Sequence, residues 1–427
     1  MRRWIFIGLI SLVVFNLNAN DESRYGELQT FARVLSIIEK YYVEPVEIKK
    51  LIQGAIKGML RELDPHSAYM TPEVYSEFEN ETSGEFGGIG IEITIDNGLL
   101  TIISPIEDTP AYHAGLKSKD QIMAINGVST KGFNLIEASK HLKGRRGDKV
   151  TLTISRNGAK PFDITIVRGS VKIKSVKSKT FDDTFLYMKI TSFIENTSSS
   201  IEKILQDHLN KKKKISGIIL DLRKNPGGLL DQAIKITDMF IADGLPIVST
   251  QGRQKENRDI STSTKRIKYL DFPILLLIDA GSASASEIVA GALQDHKRAL
   301  VMGSRSFGKG SVQSIMKLGD GSALKITIAR YYTPAGRSIQ AQGITPDLYF
   351  EETGDSPTKA VVKDGGSKIK KIREKDIKNH LSNDQEAMPL NSEGWTGEDT
   401  LLTQAVNYLK VMSYGYKAEK GAEQIAN

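Results

Sequence analysis

The sequence predicts an α/β core preceded by a small β-rich domain, with helical segments at both ends. Three observations carry this. Ile215 to Leu222 and Ile274 to Ile278 are short apolar runs of the kind found in strands buried on both faces, each followed by a helical stretch. Between residues 84 and 170 the texture changes to short strands, glycine turns and one inserted helix. Apolar residues recur at three- and four-residue spacing before residue 83 and again after residue 400.

Composition narrows the function classes. The chain has 427 residues, 40% hydrophobic and 26% charged, with a formal charge of +7. Neither disorder nor a multi-span membrane protein fits those values. The basic runs at Lys211 to Lys214 and Lys359 to Lys378 lack aromatic or arginine-rich interleaving, so they read as solvated faces and a linker, with no nucleic-acid partner. There is no cysteine, which excludes disulfides, thiolate metal sites and a cysteine nucleophile.

In chain order, residues 1–19 read as an export signal. Arg2 and Arg3 precede the apolar run Trp4 to Phe15, and Leu17-Asn18-Ala19 offers a cleavage site. The run is short for a span of about 20 apolar residues. The expectation is an exported, periplasmic protein, released or held at the inner membrane by an uncleaved segment. Residues 20–83 form a helical domain, with Leu28, Phe31, Val34, Leu35, Ile38 and Tyr41 on one face. Asp64-Pro65 marks a turn.

Residues 84–170 open with Gly87-Gly88-Ile89-Gly90-Ile91 and a strand to Ile95. Leu100 to Ile103, Pro110-Ala111, Ala114-Gly115-Leu116, Asp120 to Gly127, a helix near Leu135 to Leu142 and the strand Val150 to Ser155 follow. This order resembles a PDZ domain. Gly88, Ile89, Gly90 and Ile91 then correspond to the loop whose N–H groups bind a peptide's terminal carboxylate.

Residues 171–351 alternate strand and helix. Asp221-Leu222-Arg223 leads into Asn225-Pro226-Gly227-Gly228, a turn whose glycines let N–H groups point outward. Residues 352–427 begin with the basic linker and end in a helix around Leu401 to Met412.

The candidate chemistry lies in two segments. Ser284 follows a buried strand and opens a helix, so it stands in the positive end of the helix field with the Ala285 N–H beside it. Ser284-Ala285-Ser286-Glu287 also fits a capping box, which is the bland account of the same serine. No histidine falls in a recognisable constellation with it. Lys309, flanked by Gly308 and Gly310, is the alternative base, because a desolvated lysine loses its proton near neutrality. Gln313, four residues on, can hold the amine without adding charge. A solvent-facing turn is the bland account of the Gly-Lys-Gly. A competing motif is a P-loop: Gly303 to Lys309 matches its first positions, but Gly310 stands where Ser or Thr should hold magnesium.

Gly281 to Ile288, Ala292 to Asp295, Phe307 to Gln313 and Tyr331 to Gln340 together resemble the carboxyl-terminal processing proteases, the tail-specific serine protease family S41. The resemblance runs from about residue 25 to 350. It implies a core of the crotonase/ClpP-like serine protease fold, with Ser284 as nucleophile, Lys309 as general base and Gln313 orienting the lysine. It maps the oxyanion donors to Ala285 and to Gly227 or Gly228. It also implies substrates with exposed C-terminal tails, PDZ recognition or gating, an adaptor, a homodimer, and no metal or organic cofactor. Ser304 and Lys224 depart from the family's usual acidic residue and second asparagine, away from the proposed dyad. An inactive PDZ scaffold and an ester hydrolase are the other classes; the intact Ser, Lys and Gln oppose the first, and the absence of a G-x-S-x-G elbow opposes the second.

Overall fold

The computed structural model describes residues 19–211, 214–254, 258–352, 373–381, 394–395 and 399–426. The export signal up to Asn18 and most of the basic linker lie outside these residues. Among the described residues no helix is long and apolar enough to cross a membrane.

The chain divides after Leu63 into two units. The first holds the helices Ala19–Tyr41 and Ile48–Arg61. Leu28, Phe31, Val34 and Tyr41 of the longer helix are exposed.

The second unit begins at Asp64. Residues 64–83, grouped by sequence with the N-terminal helices, pack here instead. Ala68–Met70 pairs antiparallel with Ala323–Tyr332. The helix Pro72–Ser83 follows; Thr71 caps its start and Gly84, at φ 75°, ends it in the left-handed conformation that glycine tolerates.

The PDZ-like domain is an antiparallel sheet of Ile91–Asp96, Leu99–Pro105, Gln121–Ile125, Lys149–Ser155 and Phe162–Val167, with the helix Leu135–Leu142. In Lys149–Ser155, Val150, Leu152 and Ile154 point into its core, as period-2 patterning requires. The domain joins the rest of the unit through a ribbon in which Glu85–Gly88 pairs with Gly169–Lys172.

The core sheet has the order Val176–Phe181, Phe185–Ile190, Gly217–Asp221, Ile274–Ile278, Ala299–Gly303, Leu348–Tyr349. All neighbours after the first pair are parallel. The two apolar runs are central strands buried on both faces. Ile218, Leu220, Ile274, Leu276 and Ile278 pack with the helices Thr197–Asn210, Leu230–Asp238 and Ala285–Asp295. Ile219, Leu275 and Leu277 face the other way, against Leu401, Leu402, Ala405, Val406 and Leu409 of the C-terminal helix Thr400–Ala426. That helix is therefore the second cover of the core. A further sheet, in which Ser311–Lys317 and Pro246–Gly252 flank Ala323–Tyr332, borders the candidate site.

Candidate active site

Ser284 sits where the central strand Ile274–Ile278 turns into the helix Ala285–Asp295. Its backbone is at φ 54° and ψ −113°, and the residue is 9% exposed. A non-glycine residue held at such a φ costs about 1–3 kcal/mol, so the surroundings must impose it. This is a sharp elbow made without the glycine pattern the sequence lacks. Asp279 and Ser282 hold the turn: the Asp279 Oδ1 accepts from Gly281 N and Lys224 N, and the Ser282 hydroxyl donates to the Leu222 carbonyl. Ala283 N and the Ser286 hydroxyl both donate to the Asn225 carbonyl. Small side chains at 281–286 permit this lacing.

The Asn225 to Gly228 turn lies directly against Ser284. A Cβ on Gly227, which is at φ 101°, would stand 2.9 Å from Ser284 Cβ and 3.0 Å from Ala285 N. The Gly227 N–H is already taken by Asn225 Oδ1 at 2.9 Å. Among the described residues neither the Ala285 N–H nor the Gly228 N–H has a partner.

Glu287 ties Ser284 to Lys309. It is fully buried, and its Oε2 accepts from Ser284 N at 2.8 Å and from Lys309 N at 2.9 Å. Its Oε1 accepts from Gly308 N at 2.7 Å and from the Ser306 hydroxyl at 2.5 Å. Burial pushes this carboxyl up to about 7, against the pull of those donors. The bond to Ser284 N is the glutamate half of the capping box. The sequence offered the box as a rival to catalysis; the same carboxylate also anchors the lysine loop. The loop that mimics a P-loop is thus already occupied by Glu287, and the strand Ser311–Lys317 follows it where a P-loop needs a helix.

Gly308 and Gly310 are buried, which removes the reading of a solvent-facing turn. Gly308 is at φ 98°, and a methyl group on Gly310 would run into the Gln340 backbone. The Lys309 amine has no hydrogen-bond or ion-pair partner among the described residues. Burial, then the Lys325 charge, push it below the ordinary lysine range, while Glu374, Glu287 and Asp64 pull upward. Gln313 lies on the adjoining strand, and its amide nitrogen donates to Ser311 Oγ at 2.8 Å and Thr327 Oγ1 at 3.3 Å.

Four groups near Lys309 were not assigned a role from sequence. The Asp64-Pro65 turn brings Asp64, His66 and Ser67 to the site. Asp64 is 4% exposed; burial raises its carboxyl, but the Ser67 hydroxyl and the N–H groups of His66 and Ser67 outweigh that and hold it low. Gln340 accepts from Gly310 N at 3.0 Å. Glu374 is fully buried against His66. Lys325 approaches from the strand Ala323–Tyr332. Sequence gave Asp64 only as part of a turn and Gln340 only as part of the motif from Tyr331.

In the PDZ-like domain the loop carbonyls are tied back: Gly90 O accepts from Ile106 N and Thr109 Oγ1, and Ile89 O accepts from Ala111 N. The Ile89 and Gly90 N–H groups have no partner among the described residues. Gly88 closes the connecting strand and Ile91 starts the next. No cluster of metal-ligating side chains occurs among the described residues.

Residues 184–350 match peptidase family S41, residues 78–155 the PDZ domain, and residues 13–74 the activating protease CtpB N-terminal domain. A carboxy-terminal-processing protease of Bartonella bacilliformis is 48% identical over 337 residues, covering 78% of this chain and 77% of the relative. The chain belongs to the carboxy-terminal-processing proteases of family S41. A probable CtpA-like serine protease of Staphylococcus aureus is 37% identical over 372 residues, covering 82% and 73%. Among solved structures, the photosystem II D1 C-terminal processing protease is 27% identical with a TM-score of 0.45, covering 76% of this chain and 93% of that one. This S41 protein is a serine-type peptidase with a PDZ domain.

Proposed function

We propose that this processing protease cleaves near the C-terminus of exported proteins by a Ser284–Lys309 mechanism, with the PDZ domain recognising or gating the tail. The observation that carries it is the buried Glu287 carboxylate, which fixes the backbone of both residues through one oxygen.

Lys309, neutral when active, takes the Ser284 proton as Oγ attacks a peptide carbonyl. The free N–H groups of Ala285 and Gly228 receive the developing oxyanion. Of the two glycines, Gly228 fits this role better, because Asn225 already occupies the Gly227 N–H. Lys309 returns the proton to the leaving amine, and water releases the acyl-enzyme. Gln313 uses its amide nitrogen on Ser311 and Thr327, which leaves its amide oxygen to accept from the Lys309 amine in this proposal. The Ile89 and Gly90 N–H groups take the tail's carboxylate. The parallel strands, with three helices on the face that carries Ser284 and the C-terminal helix on the other, suit a core of the crotonase/ClpP kind.

Ser284→Ala and Lys309→Ala should each abolish cleavage of an apolar-tailed peptide at unchanged melting temperature. Undiminished turnover in either sinks the mechanism. A serine-reactive probe should label Ser284 in the active chain, and peptide turnover should exceed ester turnover.

Export to the periplasm remains part of the proposal. It rests on the basic, apolar and small-residue order of residues 1–19. N-terminal sequencing of the mature protein tests cleavage: a start at Met1 would rule it out and speak for the anchored form. The exposed apolar residues of Ala19–Tyr41 favour a homodimer, which light scattering of the full chain tests. An adaptor would act on the same tail-reading step.

A further inference from the structure

The segment 373–381 reaches the base loop from beyond the core's last strand. It carries one short 3-10 turn, Glu374–Asp376. Glu374 is 0% exposed. A carboxylate is buried only where it is paired and hydrogen-bonded. Its two oxygens stand 2.8 and 2.9 Å from His66 Nε2, and Oε1 accepts from Gln340 Nε2 at 3.1 Å.

These contacts grip the loop on both sides of Lys309. The Glu374 N–H donates to the Phe307 carbonyl at 3.3 Å. Gln340, held by Glu374, accepts from Gly310 N at 3.0 Å and donates to the Leu381 carbonyl at 3.2 Å. His66 adds the turn that also carries Asp64 and Ser67, and the Ser67 hydroxyl accepts from Thr327 N. The loop is therefore suspended between Glu287 on the helix side and Glu374 on the other.

We propose that Glu374 is a positioning residue for Lys309, and that docking of segment 373–381 completes the base loop. The proposal rests on the reading of Lys309 as general base. A base must accept the Ser284 proton as well as shed its own, and an amine driven too low by burial accepts poorly. Four charged groups face it: Lys325 from the neighbouring strand, Asp64 from the turn, Glu287 from the helix and Glu374 from the segment. Lys325 opposes the protonated amine and the three carboxylates favour it, Glu374 foremost. Glu374 thus sets both the place of the loop and the proton affinity of its amine. A carboxylate that merely pinned the tail would do only the first.

The sign of the test follows. Removing the Glu374 charge favours the neutral amine, so the acid limb of kcat/KM moves to lower pH. In the full chain, Glu374→Gln should lower kcat about tenfold with little change in KM. Its acid limb should fall by about half a pH unit or more. Glu374→Asp keeps the charge, and its limb should stay at the wild-type position while kcat falls. An unmoved limb in Glu374→Gln, a loss confined to KM, or a displaced limb in Glu374→Asp overturns the proposal. Lys309→Ala separates the two levels. If it retains turnover, the base assignment and this proposal fall together; if it is inactive and Glu374→Gln leaves the limb in place, only this proposal falls.

Discussion

At the scale of single residues, the site depends on absent side chains as much as on present ones. Gly227 leaves room over Ser284, and Gly310 lets the lysine loop lie against Gln340. Gly310→Ala should therefore cut kcat/KM at least about tenfold by displacing the loop, with peptide binding to the PDZ domain unchanged. Titration of the isolated tail peptide against both proteins checks the second half. Lys325 supplies a complementary test. Its positive charge disfavours protonated Lys309, so Lys325→Met should move the acid limb of kcat/KM to higher pH, opposite to the Glu374→Gln displacement. An unchanged pH profile would mean that Lys309 does not govern that limb.

At the scale of elements, two turns laced together make the elbow. The turn after Gly217–Asp221 and the turn after Ile274–Ile278 share the Asp279 carboxylate and the Asn225 carbonyl. Asp279→Ala takes the partner from the N–H groups of Lys224 and Gly281, both at exposed positions that water can reach, at about 0.5–1.5 kcal/mol for each hydrogen bond lost. The loss should appear in kcat before KM, since the turns carry Ser284 and the Gly228 N–H. Much of this was legible in sequence. Short runs rich in isoleucine and leucine such as Ile274 to Ile278 fit a strand buried on both faces, and a serine at the following helix start was visible by position. The edge strand Val176–Phe181 was not, because Lys177, Ser178, Lys179 and Thr180 are exposed and give no apolar alternation. Nor was the convergence of His66 and Glu374, which are 308 positions apart and bear no local pattern. Glu287 was read only as a cap. Local spacing shows that it reaches Ser284, but not that the loop of Lys309 folds onto the same carboxylate.

At the scale of the whole molecule, the C-terminal helix is structural. Leu409 is fully buried and lies so close to Gly217 that a Cβ there would stand 2.8 Å from its Cγ. Arg223 ties the helix start to the elbow region, bonding Asp221 and Asp399. Leu409→Ala should cost about 2–5 kcal/mol in chemical denaturation. Its kcat well below the melting temperature should match wild type, because the lost atoms are on the sheet face away from Ser284. The ribbon of Glu85–Gly88 and Gly169–Lys172 has a different consequence. The chain leaves the core for the PDZ domain and returns from it at one doorway, with the two crossings hydrogen-bonded to each other. The domain is thus an exchangeable cartridge. On the tail-reading role proposed for the domain, a reader of other peptide tails grafted between those two strands would redirect which proteins are cut while the cutting machinery stays as it is.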